Sequence, residues 1–319
     1  MPLKTPKFWY APIGWLAILL LPVAWLYQFS HRLFQASKRA APYQADMPVI
    51  CIGNAVAGGS GKTPVAIALM KFVKENKIAQ NPVFLTRAYG SQNQDVRLVN
   101  IAQYDPIKDG DEAYLLAQTA PTIIANDRAE GAKLAQENKA DLIIMDDGLL
   151  NNSLHKDITF LVIDRAVNFG NNKTIPAGPL REPLSRILPK SNAVICVGEK
   201  LQSDKPVFAG SVVTNKADLA GDYVAFAGLG RPEKFLQTLE QHKVNVTSWH
   251  EFADHHNYSP LEIGKLLEEA KQKNASLITT EKDYVRIPKD MKKDIQTLPI
   301  SFKFENEKEI LNFLKAHLK

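Results

Sequence analysis

From Pro48 onward, short apolar runs alternate with longer stretches whose apolar positions recur at helical spacing. Pro48-Val49-Ile50-Cys51-Ile52 is the first run, and Val65-Ala66-Ile67-Ala68-Leu69-Met70 opens the helix-like stretch after it. The pattern predicts strands over 83–86, 122–125, 142–145, 158–163 and 193–197, with helices over 112–118 and 128–138 between them. Such alternation marks an α/β protein with a doubly wound, mostly parallel sheet. After an apolar stretch at 207–213 the alternation starts again, with strands at 223–227, 244–249 and 277–280 and helices at 233–241 and 260–273. A second, smaller α/β domain is therefore expected, with a closing helix at 308–318. The boundary falls near Asn215 to Asp222, giving a first domain over 41–215 and a smaller one over 216–319.

The amino terminus breaks this rhythm. From Ala11 to Tyr27 it is almost wholly apolar, with Lys4 and Lys7 before it and His31, Arg32, Lys38 and Arg39 after it. A spanning helix needs about 20 apolar residues; this run is shorter, holds Pro12 and Pro22, and carries Trp15, Trp25 and Tyr27, residues suited to an interface. Residues 1–40 are expected to form an uncleaved, membrane-associated helix in the cytoplasmic leaflet, its basic flanks against lipid phosphates.

Between the first strand and the first helix lies Gly58-Gly59-Ser60-Gly61-Lys62-Thr63. Glycines let consecutive backbone N–H groups turn onto an anion, and a helix start adds the positive end of its dipole. Lys62 would reach the outer phosphates of a nucleotide and Thr63 would hold Mg²⁺. The strict P-loop pattern fails at its first glycine, where Val56 stands. The loop is a variant.

Composition is that of a folded protein. Apolar residues make up 45% and charged residues 23% of 319 positions, which excludes a mostly disordered chain. The net charge of +5 is mild and suits an anionic membrane surface or a phosphorylated substrate. No dense basic block interleaved with aromatics points to nucleic acid. Cys51 and Cys196 sit in strand-like apolar runs and read as buried free thiols.

Phosphoryl transfer needs metal ligands and a group to orient the acceptor. Asp146-Asp147-Gly148 closes the run Leu142–Met145, and acidic residues at the carboxyl end of a parallel strand fall beside the cradle. One of the two is expected to serve Mg²⁺. Asp109-Gly110-Asp111-Glu112 precedes a helix and alone would be an ordinary acidic cap. Asp254-His255-His256 is a third cluster: adjacent histidines cannot both face one metal from a helix, but an Asp beside a His can orient an imidazole as base or relay.

Taken in order, these motifs resemble the tetraacyldisaccharide 4′-kinases of the lipid A pathway, which are membrane-associated P-loop kinases. Gly53-Asn54 and the glycine loop through Pro64 are similar to that family's variant cradle. Thr86-Arg87-Ala88-Tyr89-Gly90, Gly110-Asp111-Glu112, Asp146-Asp147-Gly148 and Pro176-Ala177-Gly178-Pro179-Leu180-Arg181-Glu182-Pro183 follow in the family's order, as do Asp254-His255-His256 and Thr280-Glu281-Lys282-Asp283. The chain departs from the pattern at Ala88, where the family has glycine, and at Leu149-Leu150-Asn151.

The resemblance implies ATP and Mg²⁺ as cofactors, bound by Gly58, Gly59, Ser60, Gly61, Lys62 and Thr63, with Asp146 or Asp147 at the metal. It implies that Asp111 and His255 act as a dyad on the sugar hydroxyl, with Asp254 beside them and Arg181 and Glu182 lining the transfer site. It also makes Arg87 and Asn151 candidate substrate contacts. The expected reaction moves the γ-phosphoryl group of ATP onto the 4′-hydroxyl of an acylated disaccharide 1-phosphate at the cytoplasmic face of the inner membrane. The choice of Asp111 as base rests on that similarity alone. A rival reading is a regulatory GTPase, because Asn215-Lys216-Ala217-Asp218 spells a guanine-reading signature; no switch segment of the D-x-x-G type accompanies it. A membrane-tethered nucleotide-binding module without catalysis is the third reading.

Overall fold

The computed structural model describes residues 5–37, 41–59, 61–87, 95–105, 109–214 and 219–318. Ser60, Ala88-Tyr89-Gly90 and Asn215-Lys216-Ala217-Asp218 lie outside these described residues. Two sheets organise the chain. The larger has nine strands: β1 (Val49–Asn54), β2 (Pro82–Thr86), β3 (Arg97–Leu98), β4 (Thr122–Ile124), β5 (Leu142–Asp146), β6 (Ile158–Asp164), β7 (Ala193–Val197), β8 (Val207–Thr214) and, from the far end of the chain, β13 (Ile300–Phe304). Their order is β13-β8-β7-β6-β1-β5-β2-β4-β3, parallel throughout except for the two edge strands.

β1 occupies the position where the winding reverses. From it the chain passes to β2 on one side, and β6 later crosses to its other side. All six residues of β1 are buried because both faces are covered. Ile50 and Ile52 join α3 (Lys62–Glu75) and α10 (Glu307–His317) in one cluster, which also holds Phe160 and Phe302. Val49 and Cys51 point to the opposite face, against Ala132 and Ala135 of α5 (Arg128–Glu137). Cys51 and Cys196 are free and buried.

The smaller sheet is parallel and four-stranded, in the order β10-β9-β11-β12, built from β9 (Asp222–Ala227), β10 (Asn245–Glu251), β11 (Ser276–Thr280) and β12 (Ile295–Leu298). Period-two alternation decides its faces: Val224 and Phe226 pack on α8 (Pro260–Gln272), whereas Tyr223, Ala225 and Ala227 pack on α7 (Glu233–Gln241). The Ser259–Glu262 capping box fixes where α8 begins.

The expected strands and helices form, their ends moving by a residue or two. The last segment differs. Residues 300–318 were expected in the smaller unit, but β13 pairs antiparallel with β8, and Ile310 and Leu314 of α10 enter the large sheet's core. Phe304 packs on Phe72, and Phe313 on Phe160 and Phe208, which joins the segment to the large sheet's aromatic cluster.

At the amino terminus two helices form, α1 (Trp15–Leu19) and α2 (Leu21–Ser37). Pro22 falls in the first turn of α2, where its missing N–H costs nothing. No helix among the described residues is long and apolar enough to cross a membrane. Trp15, Leu19, Trp25 and Leu26 stand 71%, 66%, 64% and 67% exposed, while Ala17 and Ala24 are buried. The opposite side is tethered: Gln28 Nε2 donates to Thr174 Oγ1 at 2.6 Å, and His31 Nδ1 lies 3.3 Å from Glu182.

Candidate active site

At the carboxyl end of β1 the chain turns through the glycine loop into α3. Gly58 (φ +99°) and Gly61 (φ +79°) occupy the left-handed region, which glycine enters without strain. A Cβ on Gly59 would meet no atom within 4 Å, so this side of the loop faces open space. Val56, which replaces the first glycine of the pattern, needs no such freedom. It bridges Leu180 in antiparallel fashion, while Ala57 N–H donates to Pro179 O at 2.8 Å and Arg181 N–H to Ala55 O at 3.0 Å. Its side chain lies in the cluster holding Leu149 and Leu180. The proline-rich segment thus acts as a strap that fixes the cradle's first half.

Beside the cradle, β5 ends in Asp146 and Asp147, whose environments separate their roles. Thr63 Oγ1 donates to Asp146 Oδ2 at 3.1 Å. Asp146 Oδ1 is buried and has no hydrogen-bond partner among the described residues. Burial, with the negative charge of Glu112, pushes this carboxyl up to about 7. A buried, unsatisfied carboxylate oxygen next to a helix-start threonine fits a Mg²⁺ ion, which would relieve a cost of about 1–3 kcal/mol. Among the described residues no group of three or more His, Cys, Asp or Glu could enclose a metal. Mg²⁺ would instead complete its shell with phosphate oxygens and water.

Asp147 has cations in place of a vacant oxygen. Arg181 Nη1 lies 2.8 Å from it, Arg87 Nη2 3.3 Å and Lys62 Nζ 3.7 Å. Burial would raise its carboxyl, but Lys62, Arg181 and Arg87 together hold it well below the usual carboxylate range. Its backbone is left-handed at φ +54°. Asp147 gathers three positive side chains at the mouth of the phosphate cradle.

The third cluster comes from both sheets. Gly110 leads into α4 (Asp111–Ala117), which presents Asp111 and Glu112 in its first turn. After β10 the chain runs through Asp254 and then His255, which is left-handed at φ +56°. His255 Nδ1 lies 3.0 Å from Asp111 Oδ2. Arg286 Nε approaches the same carboxylate oxygen at 3.3 Å, and Lys282 Nζ lies 3.3 Å from His255 Nε2 and 3.0 Å from Glu112 Oε1. Burial would raise the Asp111 carboxyl, yet Lys282, His255 and Arg286 hold it well below its ordinary value.

One cleft of about 1510 Å³ connects these parts, with Gly59, Lys62, Thr63, Asp147, His255 and Lys282 on its wall. Arg87, Arg181, Asn151 and Asp254 also line it, as do Tyr27 and His31 of α2. Asn151 spends its side-chain oxygen on Ser153, accepting from its N–H and its hydroxyl at 3.0 Å each. Glu182 is placed apart from the others. It is buried, with Lys190 at 3.0 Å and His31 at 3.3 Å. The resemblance put Glu182 in the transfer site; here its carboxylate anchors α2 to the strap.

Some contributors escaped the sequence reading. Arg286 has no local signature, and Lys282 stands only within the motif Thr280-Glu281-Lys282-Asp283 without a role, since the meaning of both depends on Asp111 and His255 arriving from elsewhere. Gly230 is another: a Cβ there would lie 3.2 Å from Gly59 N and 3.1 Å from Asp254 Oδ2, tighter than ordinary van der Waals contact, so a residue without a side chain suits this approach to the cradle. Asp164, at the end of β6, receives Arg231 at 2.8 Å and also Lys234, tying the two sheets together. The run Gly228-Leu229-Gly230-Arg231-Pro232 was the available signal for a tight approach.

A family model described as tetraacyldisaccharide-1-P 4′-kinase matches residues 16–319. The chain belongs to this family. A tetraacyldisaccharide 4′-kinase of Paramagnetospirillum magneticum is 40% identical over 314 residues, covering 95% of both chains. One of Rhodospirillum centenum is 39% identical over 331 residues, covering 99% of this chain and 97% of the relative. The crystal structure of the apo form of LpxK from Aquifex aeolicus in complex with ATP superposes with a TM-score of 0.77. It is 23% identical and covers 95% of this chain and 100% of that one, which shows the shared mixed α/β fold. Membership in a kinase family over nearly the whole chain leaves the GTPase reading without support.

Proposed function

We propose that this protein is an ATP-dependent tetraacyldisaccharide 4′-kinase, transferring the γ-phosphoryl group to the 4′-hydroxyl of an acylated disaccharide 1-phosphate. The observation that carries the reading is the placement of a phosphate cradle and His255 on one cleft wall, with Asp111 behind the imidazole. In this reading the backbone amides around Gly58–Gly61 hold the phosphate tail, and Lys62 shifts from Asp147 onto the transferring group. Thr63 and Asp146 hold Mg²⁺, which supplies charge neutralisation when bound. Asp147 keeps Arg87 and Arg181 aimed at the same place.

The geometry favours His255 over Asp111 as the group that meets the acceptor hydroxyl. His255 lines the cleft, whereas Asp111 is buried behind it with 3% of its side chain exposed. His255 Nε2 takes the hydroxyl proton as the new O–P bond forms, the bond between the γ-phosphorus and the bridging oxygen breaks, and ADP leaves. Asp111 holds the opposite ring nitrogen and stabilises the imidazolium.

The same reading places the enzyme at the cytoplasmic face of the inner membrane. The exposed indoles and leucines of α1 and α2 would enter the lipid interface, while Gln28 and His31 face the strap next to the cleft. An acylated sugar leaves a bilayer at about 0.8 kcal/mol per CH₂, so chemistry at the surface avoids that cost. Assay of the full chain with mixed micelles of the lipid acceptor and either ATP or GTP tests the proposal. Lipid phosphorylation with ATP supports it; hydrolysis without phosphorylated lipid argues for a nucleotide-binding module of another kind.

A further inference from the structure

We propose that Lys282 is a positioning residue that fixes the proton arrangement of His255, keeping its cleft-facing nitrogen open until the acceptor hydroxyl arrives. The inference rests on the kinase reading above. It starts from the hydrogen-bond partners of the imidazole. Nδ1 faces Asp111 Oδ2 at 3.0 Å, and Nε2 faces Lys282 Nζ at 3.3 Å, with Asp254 Oδ1 at 3.8 Å from Nε2. An ammonium group has three donors and no acceptor. The nitrogen that receives it must therefore offer a lone pair, and the ring hydrogen must sit on Nδ1, pointing at Asp111.

Lys282 is well placed to stay charged. Burial alone would lower its pKa, but Glu112 and Asp111 more than reverse this and hold it above the ordinary lysine range. Its position is set by the first turn of α9 (Glu281–Val285), which Thr280 caps by accepting from Asp283 N–H. Arg286, one turn later, holds the other side of the pair through Asp111. Two carboxylates, Asp111 and Asp254, thus face the imidazole, and one helix supplies the cations that balance them. When the hydroxyl enters, it takes the place of the ammonium at Nε2 while Lys282 remains on Glu112 at 3.0 Å. Among the described residues Lys282 is the ammonium that meets Nε2, whereas the carboxylates of Asp111 and Asp254 both favour hydrogen on the ring.

The test is nitrogen NMR of the full chain labelled at histidine, in detergent micelles near neutral pH, with a His255→Gln spectrum to identify the resonances. The wild type is expected to show hydrogen on Nδ1 and a bare Nε2. Lys282→Met should lose that signature and lower kcat at least ~10-fold, a loss within the range for a general base, with KM for ATP within about twofold. Lys282→Arg, which again offers only donors, should restore the signature and most of the turnover. An unchanged signature in Lys282→Met, or a wild-type ring carrying its hydrogen on Nε2, would overturn the proposal. Failure of the underlying reading looks different: Asp111→Asn would keep full turnover whatever the ring nitrogens show.

Discussion

His255 Nδ1 stands 3.0 Å from Asp111 Oδ2 although 144 residues separate them and they are carried by different sheets. The pair exists only when the loop after β10 reaches the start of α4, so it reports the relative placement of the two sheets as well as the chemistry between them. Asp111→Asn keeps the side-chain shape but removes the charge that holds the imidazole. Turnover is expected to fall by about 10²–10⁴ while ATP still binds, because the cradle is untouched. Isothermal titration with ATP alongside a lipid kinase assay separates the two effects.

Thr63 and Asp146 divide a different task. Thr63→Ala removes the hydroxyl that donates to Asp146 Oδ2 at 3.1 Å. Lost partners of this kind cost about 10–100-fold in metal affinity. The Mg²⁺ concentration for half-maximal turnover should rise accordingly, and chelation should abolish activity in the wild type. A Mg²⁺ dependence identical in variant and wild type would assign the metal to other residues.

The support beneath the dyad makes a stability prediction. Asp283 is wholly buried and accepts from Gly228 N–H at 2.9 Å, Tyr258 hydroxyl at 2.8 Å and Arg286 Nη2 at 2.6 Å. Asp283→Ala leaves Arg286 buried with less counter-charge, a change that costs about 3–5 kcal/mol. Urea unfolding of wild type and variant measures it, and a loss under about 1 kcal/mol would show that Asp111 alone satisfies the guanidinium.

How far the sequence reveals this arrangement depends on the range of each interaction. β1, the glycine loop and α3 are legible because strand, turn and helix chemistry all act within a few residues. Val56 looked like a defect in the loop, and only its bridge to Leu180 shows why a β-branched residue suits that position. β13 was missed because Phe302 and Phe304 are split by Lys303, a two-residue period too short to stand out beside the polar turns around it. Asp111 read as an ordinary helix cap, and only resemblance to a family raised it. Lys282, Arg286 and Gly230 gain their roles entirely from tertiary neighbours.

Acid should weaken the folded chain in a defined direction. The Asp111 carboxyl lies below its ordinary value of 3.8 in the folded chain, so its contribution is present above that value and is lost as pH falls toward the folded pKa. Wild-type unfolding free energy should therefore drop below about pH 4 more steeply than that of Asp111→Asn. Parallel urea titrations at several acidic pH values read the difference, and coincident curves would mean that Asp111 is not held ionised by Lys282, His255 and Arg286.

The most direct measurement follows γ-labelled ATP into the lipid. Wild-type protein, mixed with a tetraacyldisaccharide 1-phosphate in micelles, should place the label on the 4′-oxygen of the sugar, and His255→Gln with ATP bound should not. Label at another position, or equal labelling by the two proteins, would contradict a cleft in which the glycine loop holds the donor and His255 receives the acceptor's proton.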